Sequence, residues 1–91
     1  MDVYQSASRR TMLREFSLEY LLIAIGNETG ELLGAYKKFK RDGDLEAFSN
    51  MKLELGDVLW YLTRIAEKLG LTLQDVADLN LGKLYARHKT E

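Results

Sequence analysis

The chain contains no proline, and its apolar residues recur at helical intervals over most of its length. Met51, Leu55, Val58, Leu62, Ile65 and Leu69 alternate steps of four and three, the spacing that lines one face of an α-helix. Leu21, Ala24, Leu32, Ala35 and Phe39 mark a second such face upstream. Long segments rich in Leu, Ala, Glu and Lys, uninterrupted by proline, favour helix. The pattern predicts four helices. The first is short, over 3–12, and the second long, over 16–41, ended by the turn cluster Asp42-Gly43-Asp44. The third reaches Leu69, with Ser49 or Asn50 capping its main part and 45–48 as a separate lead-in turn. Gly70 is the left-handed stop. Thr72, with Asp75 three residues on, opens a fourth helix that reaches about Arg87 and leaves a frayed tail. The expected architecture is a single all-α domain over 1–91, an antiparallel helical bundle.

Ninety-one residues make one domain with a modest core, so self-association is expected. The net charge of −1 lacks the basic excess of a nucleic-acid binder, so no nucleic-acid polymer is expected as partner. Without cysteine there are no disulfides and no thiolate metal sites. No apolar run spans a bilayer and the first residues carry no secretory signal, so no membrane partner is expected and a cytoplasmic location is the default.

Two acidic pairs share one internal spacing. Glu28 and Glu31 stand three apart, as do Glu54 and Asp57, and residues three apart lie on one helix face. Leu21, Ala24, Glu28, Glu31 and Ala35 follow steps of three, four, three and four, so the two glutamates continue an apolar stripe rather than occupying the opposite face. No Lys or Arg lies three or four residues from Glu28, and a buried carboxylate without a partner is costly. If the two helices pack together, four carboxylates converge. They cannot all be anions in a small space unless a cation sits among them. A hard divalent ion, most often Mg²⁺ with a phosphate substrate, is the usual solution. A di-iron centre would need Glu-x-x-His pairs, and the single histidine is His88 in the tail. Asp75 and Asp78 are also three apart, but Asp75 reads as a cap and Asp78 as solvent-facing. Gly26, Gly30 and Gly34 lie four apart, which permits close approach of another helix or of a substrate.

The E-x-x-E pair, the segment E-L-G-D-V-L-W-Y-L and the later N-L-G-K-L-Y-A-R together resemble the MazG-type all-α nucleoside triphosphate pyrophosphohydrolases. The resemblance covers roughly 4–87. It implies Mg²⁺-dependent cleavage of an NTP or dNTP between the α and β phosphates, giving the monophosphate and pyrophosphate, with Mn²⁺ as an alternative ion. Position by position, Glu28, Glu31, Glu54 and Asp57 match the metal-binding acids. Glu28 or Glu31 is the candidate base. Asn80 and Lys83 match a substrate-contacting N-x-x-K, and Arg87 shares their helical spacing. One departure is Asn27, where many members carry another Glu. The resemblance also implies a homodimer or homotetramer, with a four-helix core completed across the interface. Base recognition falls to Phe16, Tyr20, Trp60, Tyr61 or Tyr85, with Trp60 read as core. Two other readings stand beside this one. The first is a specialised relative such as a phosphoribosyl-ATP or deoxynucleotide pyrophosphatase. The second is a non-catalytic helical dimer that binds a partner.

Overall fold

The computed structural model describes residues 2–89 and has four helices: α1 (Asp2–Arg9), α2 (Leu18–Asp42), α3 (Leu45–Lys68) and α4 (Leu73–Lys89). No strand forms among the described residues, so the chain is all-α. None of these helices is long and apolar enough to cross a membrane.

The long pair α2 and α3 forms the body. Only Gly43 and Asp44 separate them, so they run antiparallel and pack against each other extensively. Both linking residues have a local job. Gly43 takes a left-handed φ of 66°, and its N–H closes α2 on the Phe39 carbonyl. Asp44 caps α3 by accepting from the Ala47 N–H at 3.0 Å. This corrects the expected start of α3: residues 45–48 are its first turn, not a separate one, and Asp44 rather than Ser49 or Asn50 is the cap. The turn cluster ends one helix and starts the next with the same three residues. At the other end of α2, the Ser17 hydroxyl accepts from the Tyr20 N–H at 3.1 Å. Gly70, with φ 77°, turns the chain after α3. Thr72 and Asp75 reciprocally satisfy each other's N–H groups at the start of α4, at 3.0 and 2.9 Å.

Both outer helices differ from expectation in length. α1 stops at Arg9, and Thr11 and Met12 form a turn through N–H bonds to the Ser8 and Arg9 carbonyls. α4 runs two residues beyond Arg87, through His88 and Lys89, and the remainder of the anticipated tail lies outside the described residues. The first turn of α4 is anchored: Leu73 is buried and its N–H is held by Gln5 Oε1 at 3.0 Å. Beyond it, Leu79, Leu81 and Tyr85 are exposed.

The core is small. Leu21, Ala47, Ala66 and Leu73 are the buried apolar residues among those described, and much of the predicted stripe on α3 stays in contact with solvent, Leu55 at 57% and Leu69 at 59%. A Cβ added at Gly26, Gly30 or Gly34 would meet nothing within 4 Å, so no helix of this chain makes the close approach expected there.

Candidate metal centre

The α2–α3 pairing carries the acids to one another. Ligand oxygens of Glu28, Glu54 and Asp57 lie within 4.8 Å of one another, a spacing that suits a hard cation with oxygen ligands at roughly 2.0–2.6 Å. Glu31, one turn along α2, is exposed, and its carboxylate accepts from Asn27 Nδ2 at 3.3 Å. It still faces the cluster closely enough to act electrostatically on both Glu28 and Glu54.

The charge in this cluster is of one sign. The ion pairs between described residues join Arg9 to Glu15 and Glu67, Arg41 to Asp42, Arg64 to Glu67 and Lys68 to Glu15, and none reaches the four acids. Glu28 is pushed above the ordinary carboxylate range, first by burial and then by the charges of Glu31, Asp57 and Glu54. Glu54 is pushed up as well, again by burial first and then by Glu31 and Asp57. Glu28 Oε2 and Glu54 Oε2 are both shielded from solvent without a hydrogen-bond partner. Buried carboxylate oxygens that nothing in the chain satisfies fit a divalent cation, which would supply the missing partner to both.

Three grooves border the acids. One, of about 320 Å³, is lined by Thr11, Glu28, Asp57, Trp60 and Tyr61. A second, of about 360 Å³, holds Glu31, Gly34, Ala35, Lys38, Ala47, Asn50 and Glu54. The third, of about 240 Å³, has Tyr20, Asn27, Glu28 and Tyr61 among its walls. Tyr61 thus flanks Glu28 on two sides, and its phenol is pushed up by burial, then by Tyr20 and the acids.

Asn80 and Lys83 line a different groove, with Leu71, Val76 and Leu79 on the α4 side, and Arg87 lies one turn further along α4. None of the three lines any of the grooves described above. Thr11, Lys38 and Asn50 are polar groove-lining residues that the sequence motifs do not mark as part of the site. Lys38 stands seven residues from Glu31, and Asn50 four from Glu54, so helical spacing alone could have marked both. Trp60 is only half-buried: it stacks edge-on against Tyr61 and lines the groove, rather than filling a core.

Residues 16–91 match the MazG nucleotide pyrophosphohydrolase domain. The chain belongs to the MazG nucleotide pyrophosphohydrolase family. A relative, the Gene 37 protein of Mycobacterium phage L5, is 32% identical over 99 aligned residues, covering 96% of this chain and 87% of that protein. No solved structure matches the chain. MazG-family members generally hydrolyse nucleotide pyrophosphate bonds and use a divalent metal, and Glu28, Glu54 and Asp57 form a candidate cluster for one.

Proposed function

We propose that the protein hydrolyses a ribo- or deoxyribonucleoside triphosphate between its α and β phosphates, releasing the monophosphate and pyrophosphate, with Mg²⁺ as cofactor. The observation that carries this reading is the pair of shielded, unpartnered oxygens of Glu28 and Glu54 beside Asp57. Glu28, Glu54 and Asp57 would hold the ion, with Glu31 completing the set from its solvent side. When bound, Mg²⁺ neutralises the polyphosphate and acidifies a water. Glu28 or Glu31 takes the proton of the attacking water. Asn27 orients Glu31 through its amide, in place of the carboxylate many members carry. Lys38 and Asn50, beside Glu31 and Glu54, meet the phosphates from the second groove. The reading carries with it a cytoplasmic location, where nucleoside triphosphates are made and used.

The protein acts as a homodimer or a pair of dimers. Its accessible surface of 6813 Å² exceeds the roughly 5,400 Å² of a compact monomer of this mass by about 1,400 Å². Its radius of gyration of 15.9 Å exceeds the expected value of about 12 Å. A specific interface takes about 800 Å² from each partner, which this excess supports. Ile23, Gly26, Gly30 and Leu33 form one open, apolar face of α2 suited to a second copy, and Asn80, Lys83 and Arg87 reach substrate from that copy's α4.

The test is pyrophosphate release from a panel of ribo- and deoxyribonucleoside triphosphates, with Mg²⁺ and with chelator, alongside Glu31→Gln. Mg²⁺-dependent release paired with the monophosphate is the expected result. Absence of release from every nucleotide overturns the reading.

A further inference from the structure

Arg64 is 2% exposed and lies on α3 two turns beyond Asp57, outside the acid cluster. Its Nη2 donates to the Gln5 carbonyl at 3.2 Å and to Ser8 Oγ at 3.0 Å, both near the end of α1. Its Nε stands 3.0 Å from Glu67 Oε1, and its guanidinium lies 5.1 Å from the centre of the Trp60 ring. Trp60, one turn earlier, donates its indole N–H to the Ser8 carbonyl at 3.2 Å and to Thr11 Oγ1 at 2.8 Å. Two neighbouring side chains of α3 thus fasten the same end of α1. That end carries the negative pole of the helix dipole, which a cation offsets.

Fastening could be had more cheaply with an aliphatic residue, since burying a guanidinium costs desolvation that its partners recover only in part. What the planar donor set adds is a fixed register. The register matters at Thr11, two residues past α1, because Thr11 and Trp60 form one wall of the groove that holds Glu28 and Asp57.

We propose that Arg64 is a positioning residue: by fastening the end of α1 to α3 it holds Thr11 and Trp60 as the wall of the acid-lined groove, and so sets how tightly substrate is held there. The effect on substrate rests on the nucleotide reading above; the effect on the wall does not. Trp60 is the chain's single tryptophan, so its fluorescence reports the wall directly. In Arg64→Met, helicity by circular dichroism is kept, Trp60 emission moves to the red and becomes more quenchable by iodide. KM for the preferred nucleotide rises roughly tenfold, the order of one lost hydrogen bond to a charged group, while kcat stays within about twofold. Arg64→Lys restores part of both. Ser8→Ala, which removes one acceptor and leaves the guanidinium in place, moves emission and KM the same way by less, and it decides the matter if Arg64→Met does not fold. Wild-type emission, quenching and KM in Arg64→Met, or in Ser8→Ala where that variant stands in, overturn the proposal. If the wild type turns over no nucleotide, the activity reading falls, and the emission of the variants alone decides whether Arg64 positions the wall.

Discussion

Two places in this small protein hold ionised side chains away from solvent, and they are built on opposite rules. At the clasp between α1 and α3, charges of both signs alternate: Arg64 and Arg9 converge on Glu67, Arg9 also meets Glu15, and Gln5 Nε2 adds a further bond to Glu67 at 3.3 Å. At the α2–α3 cluster all four groups are acids, and two of their oxygens are left unpartnered. In the first arrangement every acid meets a cation of the chain, although Arg64 Nε and Nη1 make no hydrogen bond. In the second, no ion pair among the described residues brings a cation to the acids. In the absence of metal, removing one carboxylate should therefore have opposite effects on stability at the two places.

The largest effect expected is on turnover. Asp57→Asn and Glu28→Gln each lower kcat/KM by more than the roughly 10–100-fold typical of groups that only orient metal ligands. Steady-state pyrophosphate release checks this, with circular dichroism confirming that the helices persist. Glu67→Gln leaves the dependence of rate on Mg²⁺ concentration unchanged. If Glu67→Gln shifted that dependence as Asp57→Asn does, the two regions would not be separable.

Next in size is stability in chelator. Glu67→Gln removes the partner of a buried guanidinium and costs about 1–3 kcal/mol, seen as a lower urea midpoint. Glu28→Gln relieves repulsion and raises the midpoint. The same contrast has a pH signature. Glu28 and Glu54 have folded-state pKa values above the ordinary glutamate value of 4.5, so the folded chain binds more protons than the unfolded one as pH rises through that window. Their contribution to stability is thus greatest below the ordinary value and is lost as pH climbs through the raised values. Mg²⁺ reverses this, because it binds the ionised forms, so the stabilisation it gives grows with pH over the same window. Thermal melts of wild type and Glu28→Gln, with and without Mg²⁺, isolate the slope; a variant with the wild-type slope would exclude Glu28 as its source.

The sequence made one of the two regions legible and hid the other, for a physical reason. Glu28 and Glu31 interrupt an apolar stripe whose period is local, so a helical wheel suffices to see that they face a neighbour. The α3 acids are less legible, since Glu54 only flanks the α3 stripe beside Leu55 and Asp57 lies further round. The clasp depends on Arg64 meeting Ser8 and Trp60 meeting Thr11, contacts between segments 56 and 49 residues apart. No periodicity encodes them, and Trp60 in an apolar run reads as core until its N–H partners are known. The start of α3 was misread for a local reason: Asp42-Gly43-Asp44 serves two helices, and only the Asp44–Ala47 bond assigns the second role. Placing Asn80, Lys83 and Arg87 by resemblance is a different matter, since α4 carries Asn80 and Lys83 to another groove.

The smallest expected effect sharpens what holds the clasp. Glu15 also pairs with Arg9, at 2.9 Å, and approaches Lys68 at 3.6 Å, but its side chain is 64% exposed where that of Glu67 is 19%. Exposed pairs are screened by solvent and cost side-chain entropy to hold, so Glu15→Gln should change stability by no more than about 0.5 kcal/mol, and added salt should erase the change. Glu67→Gln should keep most of its cost in the same salt, because what it loses is the partner of a guanidinium that water cannot reach. Equal and equally salt-sensitive costs for the two variants would mean that the clasp is held by diffuse charge attraction rather than by the contacts of Arg64. The register of the groove wall would then rest on Trp60 and Thr11 alone.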